Sequence, residues 1–349
     1  MPRQFYETTY LIAHEGTGKN YLYKALPATL RSQNKIAVAT ATSSVAASIM
    51  TGRKTAHSRF KIPLAIDDGN VCSFTKQSGT ANLLQKTSLI IWDAASMTKR
   101  QAVEALDNSL RDIMDQAGLP FGGKTVVFGG DFRQVLPIVR KGSKAQIIAA
   151  SLRRSYLWES MHHLKLVHNM RAQSDPWFAE YLLRVGGGTE EANSDGEIRL
   201  PDQVCGPYTG SDRDLDKLIN CIFPSLNENM SNTSYITSRA ILSTRNDWVD
   251  MINMRMIDRF QGEQMVYHSF DYTVDDPHNY YPPEFLNTLT PNGLPPHILK
   301  LKIGWPVILL RNIDPPNGLC NGTRLVVRYT AVATHGHRPS YILIYVTVS

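Results

Sequence analysis

The chain has 349 residues, 42% hydrophobic and 19% charged, with a formal net charge of +6 at pH 7. That is an ordinary globular composition, long enough for two domains with substantial cores. No apolar run approaches about 18 residues, which excludes a transmembrane span, and the opening residues lack the charged-then-apolar plan of a signal peptide. Cys72, Cys205, Cys221 and Cys320 are scattered without a close pair, which favours packed thiols in a reduced compartment over a disulfide or zinc framework. The charge is unevenly spread. Residues 1–168 hold 22 Lys and Arg against 11 Asp and Glu, whereas residues 169–349 hold 15 against 20. A basic front half points to a polyanionic partner, nucleic acid first; the plainer alternative is an uneven solvated surface.

In chain order, residues 8–12 are β-branched, aromatic or aliphatic and read as a strand. Residues 21–30 read as a helix that Pro27 kinks or shortens. Residues 35–40, 88–92 and 124–128 are short apolar runs with little alternation, the pattern of a parallel sheet covered on both faces. Residues 43–50 and 99–114 have helical periodicity between them. Such alternation implies an α/β sandwich with ligands at the carboxyl ends of its strands. Around Gly186-Gly187-Gly188 the composition turns polar, as in a linker. Residues 240–243 resume as a strand, 246–260 as a helix and 275–296 as loop. Residues 306–310, 325–329 and 341–348 are β-like and predict a small antiparallel sheet.

Three segments carry chemistry. Gly16-Thr17-Gly18-Lys19 entering a helix offers backbone N–H groups to a polyphosphate, with the lysine reaching its outer phosphates; a chance Gly-rich turn is the alternative. The next position ordinarily holds a hydroxyl for Mg²⁺, and here it is Asn20. The run Leu89-Ile90-Ile91-Trp92-Asp93 ends in a carboxylate where a P-loop ATPase holds Mg²⁺ through water, although an ordinary strand end with a capping Asp has the same look. The following position, where a glutamate would activate the attacking water, is Ala94. The nonamer Gly129-Gly130-Asp131-Phe132-Arg133-Gln134-Val135-Leu136-Pro137 offers Gln134 as a neutral donor and acceptor to sense a terminal phosphate or its water; a Gly-Asp turn as mere punctuation is the alternative, which explains the GGD but not the whole nonamer. His57 and Phe60, among Arg53, Lys54, Arg59 and Lys61, read by themselves as a core Phe beside a solvated basic loop.

Taken in order, GTGK, Trp92-Asp93-Ala94-Ala95-Ser96, GGDFRQVLP and Asn169-Met170-Arg171 resemble the petite-integration-frequency (PIF) family of superfamily-one DNA helicases. Within it they are similar to the branch abundant in plant genomes and linked to Helitron-type transposons. Residues 40–47 resemble the family's first DNA-contacting motif, with Ser44 where Gly is usual, and residues 55–60 the next one. Residues 282–293, 306–314 and 317–324 are also similar to that branch, so the likeness runs from about residue 16 to residue 328.

The resemblance implies an α/β fold of two RecA-like P-loop NTPase domains, parallel sheets with flanking helices, the second incomplete, plus a small β-rich insertion. The expected bounds are 1–168, 169–298 and 299–349. It implies ATP on Gly16, Thr17, Gly18, Lys19 and Asn20, Mg²⁺ on Asp93 through water, and Gln134 linking the γ-phosphate to the DNA site. Arg171 would reach across to stabilise the charge of phosphoryl transfer. Thr42, His57, Arg59 and Phe60 would lie along the DNA single strand, His57 and Phe60 stacking on bases while Arg53, Lys54, Arg59 and Lys61 meet phosphates. The implied activity is ATP-dependent 5′-to-3′ unwinding of single-stranded and forked DNA, in nuclear repair, recombination and telomere maintenance. The chain departs from the family at Glu15, where Gly is usual, at Asn20 and at Ala94, and it is expected to lack the adenine-reading segment before the loop and the later motifs. The alternative is therefore a catalytically dead helicase remnant that at most binds nucleic acid. GGDFRQVLP and the basic loop disfavour a small-molecule NTPase or kinase.

Overall fold

Four short, largely buried apolar runs, with a fifth and exposed strand at one edge, make the organising layer. The computed structural model describes residues 8–13, 16–50, 52, 54–170, 172, 174–206, 209–243, 245–269, 280–289, 297–311, 313–314, 317, 319, 322–335 and 338–348. They divide into one unit of residues 1–199 with 314–318 and another of residues 200–313 with 319–349. The sequence-based expectation put the first division after residue 168; by contacts it follows residue 199.

In the first unit, strands β1 (Thr8–Ala13), β2 (Ile36–Ala41), β3 (Thr87–Asp93), β4 (Thr125–Gly130) and β5 (His162–Leu166) form a sheet of order β2-β3-β4-β1-β5. Every pairing is parallel. Helices α1 (Lys19–Ser32), α2 (Ser44–Ser48), α3 (Ala56–Phe60), α4 (Gly79–Lys86), α5 (Arg100–Ile113), α6 (Lys144–Ala150) and α7 (Pro176–Gly187) connect and follow the strands. Alternate residues of each strand supply opposite cores. Tyr10, Val38, Ile90, Trp92, Val126 and Phe128 pack with Leu84 of α4 and Val103, Leu106 and Leu110 of α5. Leu11, Ala13, Ala39, Ala41, Leu89 and Ile91 pack with Tyr23 of α1 and Ala47 of α2. Burying a large aliphatic or aromatic side chain stabilises by about 1.5–3 kcal/mol, so the absence of polar alternation in these strands follows directly from a sheet covered on both sides.

Two local expectations change. Helix α1 runs on past Pro27 to Ser32; the proline ring is buried, and Tyr23 C=O forgoes the amide that a residue with an N–H would supply. Gly186 and Gly187 are not linker but the last turn of α7, and Gly188, at φ 68°, closes it in the left-handed conformation that a helix C-terminus favours.

A buried acid holds α5 against the turn before β4. Asp107, fully buried, accepts hydrogen bonds from Phe121 N at 2.5 Å, Arg111 Nε at 2.7 Å and Tyr156 Oη at 2.6 Å. Phe121 itself sits at φ 52°, a left-handed conformation costly for a side-chain-bearing residue, and the bond to its amide pins it there.

The second unit holds α8 (Asp212–Ile222), α9 (Leu226–Asn229), α10 (Thr233–Thr237), α11 (Asn246–Arg259), β6 (Met265–His268), α12 (Pro283–Leu286), β7 (Ile298–Leu301), β8 (Pro306–Ile308), β9 (Arg324–His335) and β10 (Arg338–Val348). Ile219, Phe223, Ile236, Met256 and Phe260 form its core, with Trp305 packed against them. Asp216 on α8 pairs with Arg255 and Arg259 on α11. The anticipated small antiparallel sheet is present as β8-β9-β10, and β6 and β7 form a separate antiparallel pair. Residues 240–243 are irregular rather than a strand; Leu242 is 91% exposed, so no apolar face drives pairing there. The loop expected at 275–296 falls largely outside the described residues. No helix among the described residues is long and apolar enough to cross a membrane.

Asp107→Ala strips three donors of their acceptor and is expected to destabilise the chain by about 3 kcal/mol. Tyr156→Phe should cost roughly 1 kcal/mol. Urea denaturation followed by tryptophan fluorescence measures both; an unchanged midpoint for Asp107→Ala would contradict this role.

Candidate functional site

The strand order brings three chain segments to one end of the sheet. Because β4 lies between β1 and β3, the turn after β1, the Gly129-Gly130 end of β4 and Asp93 at the end of β3 are neighbours, the place where open α/β sheets bind ligands. Gly18 stands at φ 90°, ψ 13° as the N-cap of α1, with no side chain capping the helix. A residue with a Cβ resists that conformation. The start of α1 therefore carries no side-chain cap, the condition under which first-turn amides can receive an anion. Lys19 opens the helix, and its Nζ donates to Ala13 O at 2.6 Å, holding the ammonium at the strand end beside those amides. Asn20 is exposed. Met170 N donates to Gly16 O at 2.7 Å, and Asn169 Oδ1 accepts from Ala172 N at 3.1 Å, which ties the Asn169-Met170 turn to the loop. Arg171 and Glu15 lie outside the described residues.

Asp93 is 7% exposed and lies against the glycine pair. A Cβ placed on Gly129 would fall on the Tyr23 hydroxyl and lie 3.3 Å from Asp93 Oδ1. One on Gly130 would lie 2.5 Å from Tyr10 Oη and 2.7 Å from Ser96 Oγ. Two tyrosines thus bracket the glycines from opposite cores of the sheet. Burial, and then the Asp93 carboxylate, push the Tyr23 phenol well above its ordinary range. Tyr10 is raised chiefly by burial, with Asp131 and Asp93 adding to it and Ser96 opposing. Both stay protonated at any physiological pH. Asp131 Oδ1 accepts from Arg133 N at 3.0 Å, and its backbone carbonyl accepts from Gln134 N at 3.1 Å and Ser96 Oγ at 3.2 Å. That turn leaves Gln134 exposed.

The position after Asp93 has its own geometry. Ala94 adopts φ 55°, ψ 32°, strained for alanine, and its carbonyl accepts from Thr42 Oγ1 at 2.8 Å. Thr42 Oγ1 also meets Thr98 Oγ1 at 2.7 Å and accepts from Trp92 Nε1 at 3.0 Å. The Thr42 hydroxyl, expected along the DNA strand, is thus engaged inside the unit and fastens the end of β2 to the turn after β3.

The remaining predicted nucleic-acid residues separate. Phe60 is fully buried, packed on Trp92 with centroids 5.8 Å apart. This corrects the stacking expectation: the residue is core, because α3 turns its apolar face onto the sheet. His57 is half-buried in a shallow depression with Thr55, Ser58, Lys61 and Leu64, and desolvation lowers its pKa, so it stands there as a neutral ring. Arg59 is half-buried, its pKa lowered by burial; its Nε has no hydrogen-bond partner among the described residues. Thr55 and Ser43 cap α3 and α2 through their hydroxyls, the ordinary function of such residues at helix starts.

An uncapped helix start with a lysine fits a nucleotide polyphosphate. For Mg²⁺ the donor set is leaner: one buried carboxylate, Asp93, and at Asn20 only a neutral amide oxygen. No cluster of three His, Cys, Asp or Glu that would hold a metal occurs among the described residues. Tyr10 and Tyr23 went unnoticed in the sequence; the only written trace of them is the glycine pair they require.

A family model described as PIF1-like helicase matches residues 4–196, and one described as the 2B domain of DNA helicase Pif1 matches residues 284–329. The ATP-dependent DNA helicase PIF1 of Danio rerio is 26% identical over 316 residues, 89% of this chain and 42% of that protein. The Homo sapiens protein of the same name is 25% identical over 327 residues, 92% of this chain and 44% of its own length. The chain therefore spans less than half of these relatives. A Pif1 helicase from Bacteroides, solved in complex with ADP-AlF3 and ssDNA, has TM-score 0.59 at 18% identity, covering 98% of this chain and 78% of that one. The Candida albicans Pif1 structure has TM-score 0.56 at 22% identity, covering 93% and 66%. These structures share the fold.

Thr42→Val removes the acceptor of a buried indole N–H and is expected to destabilise the chain by about 1–3 kcal/mol, with Thr42→Ser close to wild type. Thermal melts test this. A Thr42→Val chain that melts like the wild type would contradict the fastening role.

Proposed function

This chain belongs to the PIF1-like helicase family, and from that premise we propose that it forms the ATP- and DNA-binding portion of a 5′-to-3′ DNA helicase motor. One observation carries the reading. The loop Gly16 to Lys19, the carboxylate of Asp93 and the Asp131–Gln134 turn emerge from three adjacent parallel strands at the same end of the sheet. In this reading the α1 amides and Lys19 hold the phosphates of ATP, and Asp93 holds Mg²⁺ through water. The bound ion would neutralise phosphate charge and orient the outer phosphate. Gln134 senses that phosphate from an exposed turn, and Arg171 supplies positive charge to phosphoryl transfer. The basic first half, with Arg59 and neutral His57, meets single-stranded or forked DNA. A nuclear setting in repair, recombination and telomere maintenance rests on family likeness alone, and the plant and Helitron-like branch on the segments at residues 282–293, 306–314 and 317–324.

A second reading is favoured by a specific observation, and we adopt it for the hydrolytic step. Ala94 presents a methyl group where a water-activating carboxylate is needed. Asn20 lacks the hydroxyl that completes the Mg²⁺ shell. The chain then grips nucleotide and DNA while turning over little or no ATP.

Titration with a fluorescent ATP analogue tests the nucleotide seat: binding is expected in the wild type and a loss of tenfold or more, on the order of one charge-assisted contact, in Lys19→Ala. Equal binding by the two would contradict it. Single-stranded DNA binding should weaken steeply between about 50 and 200 mM salt, as counterion release requires; affinity indifferent to salt would count against the basic face.

A further inference from the structure

Gly129 is the tightest position at the candidate site, and a tyrosine makes it so. The Tyr23 hydroxyl fills the volume that any Cβ at 129 would occupy, with the ring carbon Cζ only 2.8 Å from that point and Asp93 Oδ1 3.3 Å away. Phenol and carboxylate thus share the space over one glycine. Tyr23 is 3% exposed. Its hydroxyl makes no hydrogen bond of ordinary geometry to any described residue, Asp93 included, and the Asp93 carboxylate is the acceptor that shares the space over Gly129 with it. A buried hydroxyl without a partner is costly, so the pair has a physical reason to be held together.

The position of Tyr23 in the fold gives the contact a consequence. It lies one turn into α1, the helix that Lys19 opens. Asp93 ends β3, two strands away from β1 in the sheet order. The phenol therefore links the helix that carries the phosphate seat to the carboxylate assigned to Mg²⁺, across the glycine end of β4. At Asn20 the customary hydroxyl is missing from the same helix, so Tyr23 is the hydroxyl that α1 brings to Asp93.

We propose that Tyr23 is a positioning residue that donates a hydrogen bond to the Asp93 carboxylate and fixes which of its oxygens faces the nucleotide-bound metal. It acts only through Asp93, and the inference rests on the nucleotide reading of the strand-end site. Gly129 is required because a Cβ there would overlap the phenol.

The test compares the full chain with Tyr23→Phe, which keeps the ring and removes the hydroxyl. A fluorescent ATP analogue is titrated with and without MgCl2. Without Mg²⁺ the two proteins should bind alike. With Mg²⁺ the wild type should tighten, and Tyr23→Phe should forfeit about tenfold of that gain, the scale on which partners of a metal-ligating carboxylate act. An equal Mg²⁺-dependent gain in both overturns the proposal, as does a wild type whose binding ignores Mg²⁺. A wild type that binds no nucleotide overturns the nucleotide reading itself, and this inference with it. Packing is tested apart from any ligand. Gly129→Ala should lower the melting temperature, and the loss should be smaller in a Tyr23→Leu background, where Oη and Cζ are gone. An identical loss in both backgrounds overturns the assigned position of the phenol.

Discussion

Insertion of β4 between β1 and β3 is the constraint on which the site depends. Parallel pairing of Thr8 through Ile12 with Val126 through Gly130, and of Leu89 through Trp92 with Thr125 through Phe128, sets the ends of all three strands level. The phosphate loop, the glycine pair and Asp93 then converge without any of them being near the others in sequence. The same pairing explains the glycines. With Tyr23 arriving from one face and Tyr10 from the other, the last two residues of β4 have no room for side chains.

Much of the first unit was legible because its physics is local. Strands covered on both faces read as continuous apolar runs, and β1 to β4 lie within a residue or two of where those runs put them. The order Gly16–Lys19, Asp93, Gly129–Gln134 was legible for the same reason, since each motif sits at the end of such a run. What escaped is set by tertiary partners. Phe60 reads by itself as a core residue and through the family likeness as a stacking one, and only the packing of α3 on Trp92 decides for the core. Thr42 reads as a surface hydroxyl until the indole of Trp92 and the Ala94 carbonyl are found on it. Strand β5, with the polar start His162-His163, lacks the fully apolar signature because it is an edge paired only to β1 among the described residues. Residues 240–243 show the converse, apolar enough for a strand yet without one.

Of the three departures from the family pattern, the two among the described residues have different physical weight. Asn20 is an exposed residue on an otherwise intact helix start, so it changes what the seat offers a metal more than whether phosphates are held. Ala94 sits in a strained left-handed turn fastened by Thr42, and its methyl group cannot accept a proton. The fastening keeps Asp93 in position. It does nothing to supply a proton acceptor. In the proposed reading these residues separate two properties that a working motor combines: a seat for phosphates and the chemistry to discharge it.

Steady-state ATP hydrolysis, measured with and without single-stranded DNA in the wild type and in Lys19→Ala, tests that separation most directly. The account predicts turnover at the same background level in both proteins whether or not DNA is present. DNA-stimulated hydrolysis by the wild type that disappears in Lys19→Ala would contradict it.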